Sequence, residues 1–255
     1  MSCRDQQYPA LIPDKPDDRA SLFESGHWRA QFLAATVEMD LRRSRAVVNE
    51  AADAGASLST LYVDVVRPGL VRALQTPQNP TEARLLVESA MAALSEVASR
   101  PLDGAHMHGA GRCALVSVGG APLDELDGQV IVDALAADGW TVEEVEATAP
   151  AEVVAATADA RGVQLVVMPT ANPADLLLVA AAYTLLHRLP EPPAIVACSF
   201  GRPGETSRAR AAGADAFADT PGRLLAYVEE RFHGVRATSR RFRQRALDTA
   251  ADASA

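Results

Sequence analysis

The fold is decided by residues 130–169, VIVDALAADGWTVEEVEATAPAEVVAATADARGVQLVVMP, where strand and helix patterns alternate. The short runs Thr141–Val145 and Val163–Met168 are typical of strands in a buried parallel sheet. Gly139 and Gly162 end the helices that precede these strands. The alternation predicts strand–helix–strand units rather than an all-helical or all-β domain.

The same pattern extends in both directions from this stretch. Further strands are predicted at Ala114–Val118, Ala194–Cys198 and Ala214–Ala218. Further helices are predicted after Asn172-Pro173, over about Thr206 to Ala212, and after Thr220-Pro221. Five strands alternating with helices predict an α/β fold with a flavodoxin-like, doubly wound five-stranded parallel sheet over residues 113–234. Ligands of such sheets bind at the carboxyl ends of the strands.

The preceding residues, 19–99, have helical patterning and predict a four-helix bundle. The predicted helices are residues 19–36, residues 37–54 ended by Gly55, one that follows Ser57 and is kinked at Pro68, and one that follows Asn79. Residues 1–18 predict a disordered arm, and the glycine-rich residues 100–112 predict a linker. Residues 235–255 form a basic and then small-residue tail, either a frayed terminus or a binding segment.

Charge and composition narrow the function classes. A formal net charge of −9 argues against direct nucleic-acid binding, which needs a basic surface. The three cysteines lie far apart and predict neither a disulfide framework nor a metal site. The longest apolar stretch, about residues 176–186, is too short to span a bilayer. We therefore expect a cytoplasmic protein with no membrane partner.

A four-helix bundle joined through a linker to this α/β domain resembles the cobalamin-binding modules of methionine synthase, corrinoid methyl carriers and cobalamin-dependent light sensors. Residues 32–74, FLAATVEMDLRRSRAVVNEAADAGASLSTLYVDVVRPGLVRAL, look like the helical cap of that family. Residues 130–169 and the ending GADAFADTP at 213–221 look like its cofactor-binding domain. The resemblance covers about residues 25–232 and implies a cobalamin cofactor.

The motif that ligates cobalt in that family, Asp-x-His-x-x-Gly, is altered in this chain. Counting back from Gly139-Trp140 places Pro122, Asp124 and Asp127 at its three positions, and a one-residue shift places Gly128 at the last. Imidazole coordinates cobalt, whereas carboxylate replaces it poorly, so the usual lower ligand is missing. The cofactor-binding residues that the resemblance implies are Asp124, Asp127, Gly128, Thr170, Ser199, Glu88 and Met91.

Two other groups are candidates for chemistry. His106 and His108 in the linker form an alternate pair that predicts either a replacement metal ligand or two solvated side chains. The acidic residues Asp124, Glu125 and Asp127 line either a ligand pocket or a helix-capping turn. We find no Ser-His-Asp order, zinc helix motif or phosphate-binding loop in the sequence.

These observations favour a non-enzymatic ligand-sensing or regulatory protein that binds a corrinoid or related tetrapyrrole between bundle and sheet. Because no helix-turn-helix is recognisable, any output, in transcription regulation or elsewhere, is expected to run through a regulatory protein partner or a homo-oligomer. Two alternatives remain open. One is a corrinoid carrier subunit of a methyltransferase or mutase, and the other is a ligand-free scaffold or protein-interaction module.

Overall fold

The structure is a computed structural model that describes residues 19–75, 79–100, 111–119, 121–170, 173–200, 209 and 211–233. It confirms the predicted α/β class, with a helical cap followed by a parallel sheet. The predicted arm, most of the predicted linker, the tail and most of the helix expected at 206–212 lie outside the described residues.

Four helices form the cap: α1 Arg19–Val37, α2 Leu41–Asp53, α3 (the successive segments Leu58–Thr60, Leu61–Val66 and Arg67–Leu74) and α4 Pro80–Ala98. Asn79 caps α4 as predicted, because its side chain accepts a hydrogen bond from the N–H of Glu82. The second helix begins later than predicted. Met39 has a positive φ of 56°, which interrupts the helix, and Asp40 then caps α2 by accepting from the N–H of Arg43.

Helix α3 is interrupted just before Pro68, where the sequence predicts a kink. Residues Leu61–Val66 form a π-helical segment, in which the N–H of Arg67 donates to the carbonyl of Tyr62 five residues back. Pro68 lies at the start of the following α-helical segment, where its missing N–H is tolerated. The interruption therefore takes the form of a widened turn, a feature often found at functional sites.

The second half of the described chain alternates strands and helices. Its elements are β1 Cys113–Val118, α5 Pro122–Ala137, β2 Thr141–Glu146, α6 Ala151–Arg161, β3 Leu165–Pro169, α7 Pro173–Leu186, β4 Ala194–Cys198, β5 Ala216–Ala218 and α8 Pro221–Val228, followed by a π-helical turn Glu229–His233. The strands pair in parallel in the order β2-β1-β3-β4-β5. This is the predicted flavodoxin-like order, and it reverses between β1 and β3. Strands β3 and β5 each begin two residues later than predicted.

The cap and one face of the sheet share a single hydrophobic core. Alternate strand residues such as Val116, Val167 and Val196 belong to the same buried cluster as the cap residues Val48 and Leu94. The opposite face of the sheet packs separately against α6 and α7. The cap therefore lies over the sheet's α5 and α8 side as part of one packed body.

Polar contacts reinforce this placement of the cap. The hydroxyl of Ser95 on α4 donates to Asp133 of α5 at 2.6 Å, and the N–H of Gly222 on α8 donates to the hydroxyl of Ser59 at 3.2 Å. No helix within the described ranges is long and apolar enough to cross a membrane.

Candidate functional site

A cavity of about 70 Å³ lies where the cap meets the carboxyl edge of the sheet. The strand order reverses between β1 and β3. The carboxyl ends of the strands beside such a reversal are the usual ligand position in doubly wound folds. The cavity lining combines charged, hydroxyl-bearing and apolar side chains from the cap, the strand ends and α5: Arg67, Ser117, Leu123, Asp124, Asp127, Gly128, Ile131, Val167, Cys198, Ser199 and Phe200.

Three side chains, Tyr62, Arg67 and Asp127, join the cap to the sheet domain at the cavity, and we call them the closing cluster. Arg67 and Asp127 line the cavity, and Tyr62 contacts the lining residues Asp127 and Phe200. The hydroxyl of Tyr62 donates to Oδ1 of Asp127. Arg67 donates to the same carboxylate from Nε to Oδ1 at 3.1 Å and from Nη2 to Oδ2 at 3.3 Å. Tyr62 and Arg67 lie in α3 and Asp127 in α5, so the cluster joins the cap to the sheet domain by a paired, charge-assisted contact.

The ring of Tyr62 also contacts Phe200, which follows β4. The two ring centroids are 5.5 Å apart and the planes are 72° from parallel, an edge-to-face arrangement. Tyr62 is fully buried and Phe200 almost so. An aromatic side chain of the cap therefore fills the space above the end of β4.

Burial governs the protonation of the closing cluster. Burial, and then the Asp127 carboxylate, raise the pKa of Tyr62 well above its ordinary value, so the phenol stays protonated and remains a donor. Burial raises the pKa of Asp127, although Arg67 and Tyr62 act in the opposite direction. Burial also raises the pKa of the Cys198 thiol, which makes it a weak nucleophile.

Two hydroxyls that line the cavity lack hydrogen-bond partners among the described residues. They belong to Ser117 at the end of β1 and Ser199 after β4, which are 5% and 4% exposed. Buried polar groups are usually paired with protein or with ordered water. Both hydroxyls are therefore ready to bind water or a polar group of a ligand.

Four of the residues suggested by the sequence come together at this cavity: Asp124, Asp127, Gly128 and Ser199. Asp124 and Glu125 lie in the first turn of α5, where negative charge also interacts favourably with the helix dipole. Gly128 is buried against β1, and a Cβ there would meet Val118 Cγ1 at 2.8 Å. Close packing between helix and strand is thus sufficient reason for this glycine.

The other suggested residues lie elsewhere. Thr170 is buried, and its hydroxyl donates to the carbonyl of Cys198 at 3.0 Å, which joins the ends of β3 and β4. Glu88 is exposed on α4 and pairs with Arg84 at 2.7 Å, and Met91 packs against the hydrophobic core. Neither α4 residue lines the cavity. His106 and His108 lie outside the described residues.

Sequence reasoning missed Tyr62, Arg67, Ser117 and Phe200, although each contributes to the site. The signal for the two cap residues is the sequence Tyr62-x₄-Arg67 directly before Pro68, because a polar-tipped aromatic and an arginine interrupt an otherwise apolar helix face. Ser117 and Phe200 carry no such signal, because a serine at a strand end and an aromatic in a loop are common.

A corrinoid does not fit the junction as the cap lies here. Pockets for drug-sized ligands measure roughly 300–1,000 Å³, and a cavity of about 70 Å³ is far smaller. Among the described residues, no histidine lines the cavity, and no three His, Cys, Asp or Glu side chains are grouped to hold a metal ion. The unpaired hydroxyls fit a polar ligand at this edge, whereas the closed cap excludes a large one.

The chain shares its fold with a solved corrinoid protein. The monomethylamine corrinoid protein of Methanosarcina barkeri superposes with a TM-score of 0.62 at 16% sequence identity, over 81% of this chain and 99% of that one. The fold implied by the sequence resemblance is thereby confirmed.

Two weaker structural matches are a cobalamin-binding protein from Desulfitobacterium hafniense (TM-score 0.41, 15% identity, 86% and 98% covered) and the methanol:cobalamin methyltransferase complex of Methanosarcina barkeri (TM-score 0.33, 13% identity, 79% and 83% covered). No protein-family model and no curated protein sequence matches the chain.

Proposed function

We propose that this chain is a non-enzymatic, ligand-sensing regulatory protein whose ligand binds between the cap and the carboxyl edge of the sheet. The observation that carries the proposal is the closing cluster, in which Tyr62 and Arg67 of the cap bind Asp127 at the sheet's ligand-binding edge. A ligand entering here must change the position of the cap, and a change of position is what a regulatory protein transmits.

The chemistry of the junction supports a binding role. The carboxylate of Asp127 and the phenol of Tyr62 are both engaged in joining the cap to the sheet, and burial holds the Cys198 thiol protonated. The two unpaired hydroxyls of Ser117 and Ser199 are neutral hydrogen-bonding groups suited to recognition. We assign Asp124, Asp127, Gly128 and Ser199 to this binding site, with Thr170 supporting its floor.

The ligand class that we propose is a corrinoid or related tetrapyrrole. The support for it is the shared fold with the monomethylamine corrinoid protein and the position of the cavity in that fold. A ligand of that size binds only in an arrangement in which α3 has moved away from the sheet edge. We further propose that the protein acts in the cytoplasm through a regulatory protein partner or as a homo-oligomer.

A corrinoid carrier subunit of a methyltransferase or mutase is the second candidate. It is favoured by the match to a corrinoid protein along nearly the whole of that protein's length. A carrier must present its cofactor to a catalytic partner, so the cap would have to clear the site during turnover. The third candidate, a scaffold without ligand, is favoured by the small size of the cavity beneath the cap.

The experiment that separates these candidates is a visible absorption spectrum of the purified chain after incubation with adenosyl-, methyl- or hydroxocobalamin and desalting. Near-stoichiometric retained colour, with a change of oligomeric state or cap position, supports the sensor. Retained colour with methyl transfer to a methyltransferase supports the carrier. A ligand that binds only the folded state, at about 100 times its dissociation constant, stabilises by about 2.7 kcal/mol. No colour and no thermal shift with any form would leave the scaffold.

A further inference from the structure

The cap contacts the sheet domain in two ways that differ in chemistry. Along α4 and α5 the contact is apolar, and Leu94 and Val130 belong to one fully buried cluster. Along α3 the contact includes the closing cluster, whose ion-paired side chains Arg67 and Asp127 retain 17% and 19% exposure. It also includes the ring contact of Tyr62 with Phe200 and the hydrogen bond from the Gly222 N–H to Ser59. Apolar packing holds the α4 side of the cap, whereas the α3 side combines an aromatic contact with polar and ion-paired groups.

The α3 side is also under-packed. The cavity beneath it has room for about two water molecules at roughly 30 Å³ each. Ser117 and Ser199 have no protein partner within the described structure, so separating α3 from the sheet breaks no hydrogen bond of theirs. The π-helical segment that carries Tyr62 is itself an irregular turn. A movement of α3 away from the sheet has to break the closing cluster and the ring contact between Tyr62 and Phe200.

We infer that the cap blocks its own ligand site through Tyr62, and that α3 opens and closes over the sheet edge while α4 stays packed on α5. In the closed arrangement the Tyr62 ring lies against Phe200 and its hydroxyl binds Asp127, so the cap occupies the space above β4. Tyr62 then lowers the affinity of the site, because every ligand must compete with it.

The fraction of molecules in which α3 is open sets the apparent affinity of the site. When only a fraction of molecules is open, the apparent dissociation constant equals the intrinsic one divided by that fraction. Weakening the closing cluster raises the open fraction and tightens ligand binding by the same factor, without any new contact. This consequence rests on the proposed function, whereas the opening of α3 does not.

Cys198 provides a direct probe of the opening, because it lines the cavity and is buried. The test uses the full chain with Cys3→Ser and Cys113→Ser, so that Cys198 is the single thiol. Alkylation of this thiol by iodoacetamide under native conditions measures how often the cavity is exposed. The global free energy of unfolding, from urea titration of each variant, gives the labelling expected through complete unfolding alone.

Two variants weaken the closing cluster while keeping side-chain volume: Tyr62→Phe and Asp127→Asn. The matched control is Ser95→Ala, which removes another hydrogen bond between cap and α5, away from the cavity. We expect the cluster variants to label at least fivefold faster than the parent after correction for global stability. The control is expected to stay within about twofold of the parent.

Equal corrected labelling rates for the parent, the cluster variants and the control would overturn the inference. A parallel titration with hydroxocobalamin separates it from the proposed function. If hydroxocobalamin affinity rises in Tyr62→Phe by the same factor as the labelling rate, the result supports both the opening of α3 and the corrinoid ligand. Faster labelling with no cobalamin bound by any variant supports the opening and rejects the corrinoid ligand. Binding without any change in labelling supports the ligand and rejects the opening.

Discussion

The hydroxyl of Tyr62 in the cap donates a hydrogen bond to the carboxylate of Asp127 at the ligand-binding edge of the sheet. These residues are 65 positions apart in the chain. Counting back from Gly139-Trp140 places Asp127 at the last position of the altered cobalt-ligating motif, whereas Tyr62 lies outside that motif. The contact places a carboxylate near the position of the missing histidine and gives it a structural partner within the chain. The contact holds α3 against the edge of the sheet.

Replacing Tyr62 by Phe is expected to lower the free energy of unfolding by about 1–3 kcal/mol, because the buried Asp127 carboxylate loses one of its donors. Urea unfolding followed by circular dichroism measures the change. Tyr183→Phe is the matched control, since the ring of Tyr183 stacks on His187 and phenylalanine keeps that ring. Its free energy of unfolding should stay within about 0.5 kcal/mol of the wild type. Equal changes in the two variants would contradict the closing role of Tyr62.

The pH dependence of stability should reveal the protonation of Asp127. Burial raises the pKa of this carboxyl above its ordinary value of about 3.9, so the folded state binds more protons than the unfolded state between the two values. Its contribution to the free energy of unfolding is therefore largest at low pH and falls as pH rises through the raised pKa, by at most about 1.4 kcal/mol per pH unit.

The measurement is the difference in free energy of unfolding between the wild type and Asp127→Asn, determined by urea titration from pH 4 to pH 7. We expect the difference, wild type minus variant, to decrease with rising pH. A difference that increases with pH would mean that Arg67 and Tyr62 outweigh burial and hold the carboxyl ionised.

Gly128→Ala should destabilise the chain although alanine favours helices. The added Cβ would meet Val118 Cγ1 at 2.8 Å, so α5 must move away from β1, at an expected cost of about 1–3 kcal/mol. Gly26→Ala in α1 is the matched control, because open space surrounds its Cβ position and the helix should gain about 1 kcal/mol. Thermal and urea unfolding of both variants measure the contrast. A stabilised Gly128→Ala would show that α5 is free to adjust.

The hydroxyls of Thr170 and Ser199 should differ in their effect on stability. Thr170→Val removes a hydrogen bond to the carbonyl of Cys198 and should lower the free energy of unfolding by about 1 kcal/mol. Ser199→Ala removes an unpaired hydroxyl and should change it by less than about 0.5 kcal/mol. A large loss in Ser199→Ala would mean that the cavity holds an ordered water that this hydroxyl binds.

The cap and the sheet domain should unfold together, since they share one hydrophobic core. Trp28 in α1 and Trp140 before β2 report on the two parts, so single-tryptophan variants made by Trp140→Phe and Trp28→Phe follow each separately. We expect the tryptophan fluorescence of each variant to follow the same urea transition as the circular dichroism of that variant. A cap transition at clearly lower urea would show that the cap folds independently.

The strand–helix alternation, the parallel five-stranded sheet and the cap of four helices follow from the sequence alone. Local signals are sufficient for these elements. The N-cap residue Asn79 of α4 and the helix ends at Gly139 and Gly162 depend only on neighbouring residues. The position of the site at the carboxyl edge also follows, since the strand order implies it. Of the residues that the resemblance implies, Asp124, Asp127 and Gly128 of α5 and Ser199 after β4 line the cavity there.

Only the tertiary structure decided which side chains close that edge. Tyr62 and Arg67 meet Asp127 because α3 has a π-helical segment and the cap shares its core with the sheet, and no local pattern specifies a contact between residues so far apart in sequence. Glu88 and Met91, which the resemblance implies as cofactor-binding residues, do not line this cavity, because the rotation of α4 depends on packing. Sequence periodicity determines which elements form, and burial of their joint apolar surface determines which side chains face one another.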